Sequence, residues 1–355
     1  MKKTYFAAGR INLIGEHLDY NGGWVLPTTI NLGISLEIKP HSYQWIFYSD
    51  KHEPFSCSFN APFPKEHAWF QYPLSVIQYL QDQQIAIPHA YELNYHSNLP
   101  EGSGLSSSAA ILVVTLKAFN EVLQLYWSSL DIAIIAQKIE NQYIGVNCGI
   151  MDSYVIAYNE REYALLIDCQ RLEHQKIPFF MEGKYKVLIL DTQLPRSLKH
   201  SAYNERRTSC EQALQIIQQH KNIQNLAEAT IYDLDFLNDD ILKKRAKHVI
   251  TEQERVKKSV KALENQDFIT FGQLMNASHD SLKNDYQVSC EALDFLVENI
   301  QNQKGCLGAR MTGAGFGGCA IAFIDHSFSM DYLPQLERLY SEKFSIQPRI
   351  FIGKE

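Results

Sequence analysis

Arg310-Met311-Thr312-Gly313-Ala314-Gly315-Phe316-Gly317-Gly318-Cys319 carries GxGxxG at Gly313, Gly315 and Gly318, the spacing of a dinucleotide-binding fingerprint. That fingerprint has to open a helix and be followed by an acid about twenty residues on. Here it runs instead into Cys319-Ala320-Ile321-Ala322-Phe323-Ile324, which reads as a strand. A Rossmann site is therefore rejected, and the stretch is read as a glycine turn between two strands, brought close to a catalytic cleft. Taken alone, a purely structural hairpin would read the same way.

Working outward, strands are expected at 309–312, 319–324 and 347–352 around a helix at 330–343. Upstream, the strand Tyr185-Lys186-Val187-Leu188-Ile189-Leu190-Asp191 opens a mostly helical run, with amphipathic stretches at about 201–219, 239–265, 269–282 and 290–302. The first half alternates β-like runs at 3–8, 24–26, 33–38, 45–48 and 90–95 with turns. Helices at about 69–83, 106–123 and 129–143 follow, and then strands at 154–158 and 162–168. Residues 169–184 are polar and charged, interrupted by Pro178 and Gly183, which puts a boundary near Lys184. The expected fold class is α+β, in two domains over 1–184 and 185–355.

Length and composition agree. At 355 residues with 45% hydrophobic residues, the chain is long enough for two packed domains and excludes a disordered or mini-protein class. With 33 basic against 40 acidic residues and no long run of either sign, no footprint for duplex nucleic acid or an anionic membrane is present. Seven scattered cysteines lack CxxC or metal-ligand spacing and fit reduced thiols. No signal-peptide h-region or membrane-length apolar run occurs. A cytoplasmic protein, expected to be a monomer and to act on small molecules, is the reading.

Two more strings carry chemistry. Gly9-Arg10-Ile11-Asn12-Leu13-Ile14-Gly15-Glu16-His17-Leu18-Asp19-Tyr20-Asn21-Gly22-Gly23 packs a guanidinium, two acids and an imidazole into a glycine-punctuated loop. A neutral sugar offers only hydroxyls, and Glu16, His17 and Asp19 supply the alternating acceptors and donors that bind them in pairs. Leu99-Pro100-Glu101-Gly102-Ser103-Gly104-Leu105-Ser106-Ser107-Ser108-Ala109-Ala110 passes straight into an apolar helix. Its glycines let the backbone wrap an anion, and its serines stand where free N–H groups and the helix dipole favour phosphate. It is a phosphate cradle without the lysine that a Walker A loop requires. Between these strings and the third motif stand Glu140 and Asp152, separated by a Gly/Asn-rich turn. One of the two could hold a divalent cation with serine and phosphate oxygens while the other faces the substrate hydroxyl.

With these residues in place, the chain resembles the galactokinases of the GHMP sugar-kinase superfamily nearly end to end. GRINLIGEHLDYNGG is close to the galactokinase signature, GSGLSSSAA to the superfamily phosphate loop and MTGAGFGGC to its third motif. Weaker matches are Trp69-Phe70-Gln71-Tyr72, the CGIMD string ending at Asp152, and Ser201-Ala202-Tyr203-Asn204-Glu205-Arg206-Arg207. The resemblance implies a two-domain GHMP-kinase-like architecture with the active site in the interdomain cleft, and ATP-dependent phosphorylation of the anomeric hydroxyl of galactose. It implies Asp152 as the acid that removes or orients the proton of that hydroxyl, and Arg10 as the cation that steadies Asp152 and the phosphoryl group. It puts Glu16, His17, Leu18, Asp19, Gly149 and Tyr203 on sugar-binding positions. Gly102, Ser103, Gly104, Leu105, Ser106, Ser107 and Ser108 fall on the triphosphate loop, Trp69 and Tyr72 near the adenine pocket, and Ser108 with Glu140 on the Mg²⁺ ligands.

Leu18 stands where the signature usually has threonine, and the chain begins seven residues before Ala8, so the N-terminal helix usual in galactokinases is expected to be missing. A relative acting on N-acetylgalactosamine, arabinose or a uronic acid would keep every catalytic residue. A mevalonate-type kinase would call for added cations near the first motif, where Glu16 and Asp19 have the wrong sign. A non-catalytic sugar sensor would be expected to have lost a loop serine or the catalytic acid, and Ser106, Ser107, Ser108 and Asp152 are all present.

Overall fold

The computed structural model describes residues 3–64, 68–100, 102–179, 183–194 and 199–355, and of residues 199–201 the backbone only. Its first strands are β1 (Lys3–Asn12), β2 (Trp24–Val25), β3 (Pro27–His41), β4 (Gln44–Ser49) and β5 (Phe55–Ser58). Helix α1 (Gln71–Asp82), β6 (Ala90–Ser97), α2 (Ser107–Val122), α3 (Ser129–Ile139) and α4 (Met151–Tyr158) follow. Then come β7 (Tyr163–Asp168), β8 (Glu173–Pro178), β9 (Tyr185–Asp191), α5 (Lys199–Gln218), α6 (Asp240–Glu264), α7 (Phe268–Ser281) and α8 (Glu291–Gln301). The chain closes with β10 (Cys306–Met311), β11 (Cys319–Asp325), α9 (Tyr332–Phe344) and β12 (Arg349–Lys354).

By packing, Met1–Arg10, Thr29–Pro100 and Ser106–Asn159 form one compact unit, and Ile11–Thr28, Glu101–Leu105 and Glu160–Glu355 form a second. The chain thus changes unit inside β1, and β7 and β8 group with the second unit rather than with the residues before the boundary expected at Lys184.

The first unit is built on a sheet of order β1-β3-β6-β4-β5, mixed because β4 runs parallel to β6 while β3 pairs antiparallel with β6 and β5 antiparallel with β4. Helix α2 is buried almost all round, from Ala109 to Leu116 without a break and again at Ala118 and Phe119. Such a helix is stable only when covered on every side, here by α1, α3 and α4.

The second unit holds two sheets, β10-β11-β9-β12 and β2-β7-β8. Strands β9 and β11 lie centrally in the larger sheet, pairing antiparallel from Cys319↔Asp191 to Asp325↔Tyr185, and their side chains at Val187–Leu190 and Cys319–Phe323 are fully buried. Helices α7 and α8 pack on β10, which makes this half helix on sheet. The third motif is the turn joining β10 to β11 antiparallel, Met311↔Ala320, as its sequence implied. Gly315 shows why glycine is needed there: its φ is +80°, and a Cβ would stand 2.2 Å from the Val288 carbonyl oxygen.

Two expectations need correction, and one strand is new. Residues 154–158, expected as a strand, are the body of α4. Tyr154, Val155 and Ile156 favour strands, but a short apolar run cannot choose its period, and packing against α2 and α3 decides it. The polar link at 169–184 contains β8, which pairs antiparallel with β7 from Tyr163↔Pro178 to Asp168↔Glu173; its residues 180–182 lie outside the described residues. Strand β5 was not foreseen, since Phe55-Ser56-Cys57-Ser58 is short and half exposed. All seven cysteines are thiols rather than disulfides. Among the described residues no helix is long and apolar enough to cross a membrane.

Candidate active site

The first unit brings Arg10, Ser106 and Asp152 together. Arg10 sits in the fully buried stretch of β1, and Asp152 lies in the first turn of α4, where the helix dipole favours an acid. Arg10 Nε and Nη2 donate to Asp152 Oδ1 and Oδ2, each at 2.7 Å, a two-pronged charge-assisted pair. The Arg10 side chain is 5% exposed and that of Asp152 30%, so one member is locked in protein and the other is open to a ligand. Ser106, just before α2, has φ 64° and ψ 41° and makes no side-chain cap to its own helix. Its hydroxyl donates to Asp152 Oδ2 at 2.5 Å instead.

Glu140 ends α3 and opens a π-helical turn over Glu140–Ile144. Its carboxyl is buried, and that burial raises its pKa; the hydrogen bond from Ser108 pulls it back, and the Asp152 charge raises it again. The Cys148 thiol donates to Glu140 Oε2 at 3.4 Å and to Asn141 Oδ1 at 3.2 Å. The Tyr72 hydroxyl is pushed up by burial and by the Glu140 charge, which places Tyr72 in the same neighbourhood. Trp69 stacks on His52 at 6.0 Å, and its Nε1 donates to the Glu53 carbonyl at 3.1 Å. In the serine loop, Gly102 and Ser107 are exposed, Gly104 and Ser108 half-buried, and Ser103 and Leu105 buried. Gly149 is half-buried in the turn leading to α4.

The second unit holds the sugar-signature loop. Gly15 has φ +100°, and a Cβ there would meet the Trp24 carbonyl at 2.8 Å. Its N–H donates to Glu252 Oε1 on α6 at 2.9 Å, an oxygen that also accepts Ser278 Oγ at 2.6 Å, while Arg255 Nε donates to Oε2 at 2.6 Å. Burial alone would raise the Glu252 pKa, but Arg255, His248, Arg310 and Ser278 together bring it down to about 2. Glu16 Oε2 accepts Asn12 Nδ2 at 2.8 Å and Oε1 accepts the Gly313 N–H at 2.6 Å, with Arg310 Nη1 3.5 Å away. His248 Nε2 lies 3.1 Å from the Glu16 carbonyl and Nδ1 2.9 Å from Ser281 Oγ, and burial lowers its pKa to about 4. Asn12 N–H donates to Thr312 Oγ1 at 3.1 Å, so the first and third motifs meet directly.

His17 has φ 64° and is buried. Its Nδ1 meets Tyr20 OH at 2.7 Å, Tyr20 OH meets Tyr286 OH at 2.8 Å, and Tyr286 OH meets the Cys210 thiol at 3.1 Å. The rings of Tyr286 and Tyr203 lie 4.7 Å and 5.9 Å from the imidazole. Its Nε2 is buried, and the imidazole also interacts with the Ala314 backbone. Burial, with the charges of His248 and Arg206, holds the His17 pKa well below the usual histidine range, so the ring is neutral near pH 7. Arg206 closes the cluster by donating from Nε and Nη2 to the Tyr286 and Gln287 carbonyls, each at 2.8 Å. Leu18 is fully buried and its carbonyl accepts the Asn21 and Gly23 N–H groups; Asp19 starts the following 3-10 turn, half-buried.

Sequence reasoning gave Asn12, Tyr20, Cys210, His248, Glu252, Tyr286 and Arg310 no role, and it gave Ser106 only a phosphate. A signal for two of them exists: Arg245, His248, Glu252 and Arg255 recur at helical spacing on α6 beside the buried Ala246, Val249 and Val256. A polar stripe of that kind inside an apolar face marks buried partners rather than a solvated surface.

Family models match the chain over three stretches. The galactokinase galactose-binding signature matches residues 2–40, the GHMP kinases N-terminal domain 71–160 and the GHMP kinases C-terminal domain 259–330. A galactokinase of Clostridium beijerinckii is 38% identical over 361 aligned residues, covering 99% of this chain and 92% of that relative. A galactokinase of Staphylococcus saprophyticus is 40% identical over 355 residues, covering 98% and 92%. The crystal structure of Lactococcus lactis galactokinase complexed with galactose superimposes with a TM-score of 0.94 at 35% identity, covering 99% of this chain and 93% of that one. A mevalonate kinase at 21% identity and TM-score 0.70 shares the fold. With relatives this similar across almost its whole length, the chain belongs to the galactokinase family of GHMP kinases.

Proposed function

We propose that Asp152 and Arg10 carry the transfer of the ATP γ-phosphoryl group to the anomeric hydroxyl of galactose, giving galactose 1-phosphate and ADP. The observation that supports this best is the Arg10–Asp152–Ser106 cluster at the head of α2. Phosphoryl transfer needs in-line positioning and charge neutralisation more than covalent help. Asp152 orients the C1 hydroxyl and accepts its proton; the O1 electron pair forms the bond to Pγ, and the bond from Pγ to the departing oxygen breaks with its pair leaving on ADP. Arg10 holds the carboxylate in place and faces the charge in transit.

Glu16, His17, Leu18, Asp19, Gly149 and Tyr203 form the sugar-holding set in this reading. His17 enters this set as an imidazole held neutral near pH 7, able to donate from one nitrogen and accept at the other. Residues 102–108 take the triphosphate at the head of α2, with Trp69 and Tyr72 beside the adenine. Ser108 and Glu140 fit a Mg²⁺ ion: a buried carboxylate whose charge burial disfavours lies beside a hydroxyl. Bound there, the ion would neutralise phosphate charge. The reading takes the chain as a cytoplasmic monomer with ATP and a sugar as its small-molecule partners.

The test is a panel of sugars assayed for ATP-dependent formation of sugar 1-phosphate. Galactose should far exceed its C4 epimer glucose. Equal rates would remove galactose as the preferred substrate, with N-acetylgalactosamine, arabinose and a uronic acid in the same panel identifying the alternative.

A further inference from the structure

Ser106, at the head of α2, makes no side-chain cap to its own helix. Ser106 is buried and its backbone lies in the left-handed region at φ 64°, which an L-residue adopts only at a cost. A phosphate-cradling serine gains nothing from that backbone unless the turn sends its hydroxyl somewhere specific. Its destination is Asp152 Oδ2, at 2.5 Å.

We infer that Ser106 is a positioning residue that decides which oxygen of Asp152 meets the sugar. This rests on the reading of Asp152 as the group acting on the C1 hydroxyl. A carboxylate oxygen accepts about two hydrogen bonds in good geometry. Oδ2 accepts both Arg10 Nη2 at 2.7 Å and Ser106 Oγ at 2.5 Å, and is filled. Oδ1 accepts Arg10 Nε at 2.7 Å and keeps one position for a substrate hydroxyl. Arg10 alone holds the carboxylate in the plane of its guanidinium. Ser106, coming from a different element, adds a third hydrogen bond that resists rotation about the Cβ–Cγ bond and directs Oδ1 to its task.

The test compares Ser106→Ala and Ser106→Gly with the wild-type chain in steady-state kinetics with ATP and galactose. Glycine removes the hydroxyl and also relieves the left-handed backbone, so its behaviour separates a lost hydrogen bond from a strained or poorly folded loop. Both variants should lose about ten- to a hundredfold in kcat with the KM for ATP within about twofold of wild type, as expected when a reacting group is displaced by a fraction of an ångström. A raised KM for ATP with kcat preserved would overturn the inference and return Ser106 to the phosphate cradle. Asp152→Asn, run alongside, keeps the two ideas distinct: near-normal turnover there would sink the reading of Asp152 itself, whatever the Ser106 variants do.

Discussion

The two units hold their candidate functional residues in different ways. The cluster of the first unit is a short set of charge-assisted bonds, with an arginine 5% exposed and an aspartate 30% exposed, carried by residues inside conspicuous strings. The sugar-signature loop of the second unit is buried from Ile11 to Leu18 and is clamped by partners more than two hundred residues away, namely His248, Glu252, Arg310 and Gly313. Under the proposed function, the contrast separates residues that act from residues that hold. An acting group has to remain reachable and needs few bonds, whereas a loop that must present several hydroxyl-binding groups in fixed register needs a rigid floor.

That comparison can be broken in order of expected effect. Asp152→Asn should lower kcat about a thousandfold or more while leaving the fold intact, because it keeps shape and removes the proton acceptor; kcat together with thermal unfolding checks both parts, and a tenfold loss would be too small for the role. Glu252→Ala should do the opposite. It leaves the Gly15 N–H, Ser278 and Arg255 without their common buried acceptor, at a cost of about 3 kcal/mol or more of unfolding free energy. Urea unfolding measures this, and a change under about 1 kcal/mol would show that the clamp carries little load.

Glu16→Ala and Asp19→Ala should chiefly raise the apparent KM for galactose. For Glu16 the effect should come with lost stability, since its carboxylate also ties Asn12 to Gly313. Unchanged sugar kinetics would take either residue out of the binding set.

The pH dependence of stability is the mildest probe. His248, with its pKa lowered to about 4, and His17, held well below its usual value, are both buried neutral. The unfolded chain takes up protons at these histidines below about pH 6.5 while the folded one does not, so their contribution is complete above that pH. It is lost progressively as pH falls toward 4, at up to about 1.4 kcal/mol per pH unit for each histidine. Urea midpoints from pH 7.5 down to 5 should fall, and more steeply than in His248→Asn. A flat profile would place these rings in contact with solvent.

The same division explains what the sequence revealed. The α+β class, the hairpin at Gly313–Gly318 and the strings around Arg10, Ser106–Ser108, Glu140 and Asp152 were legible because backbone-permissive glycines and concentrated polar groups leave local signatures. The α4 helix was not, since Tyr154-Val155-Ile156 is locally strand-like and only its packing against α2 and α3 makes it helical. The bond from Ser106 to Asp152 was hidden for another reason: it follows from a left-handed backbone that serine seldom adopts. The clamp of the second unit was illegible because its members are isolated polar residues on long helices, and their partners are fixed only by the fold.

The most direct measurement of this division of labour is the galactose affinity of Asp152→Asn beside that of wild type, by titration calorimetry on the full-length chains. If acting and holding are separate, the variant that has lost turnover binds galactose within a few-fold of wild type. If galactose binding disappears together with turnover, Asp152 is part of what holds the sugar, and acting and holding are not divided between the two sets of residues as described.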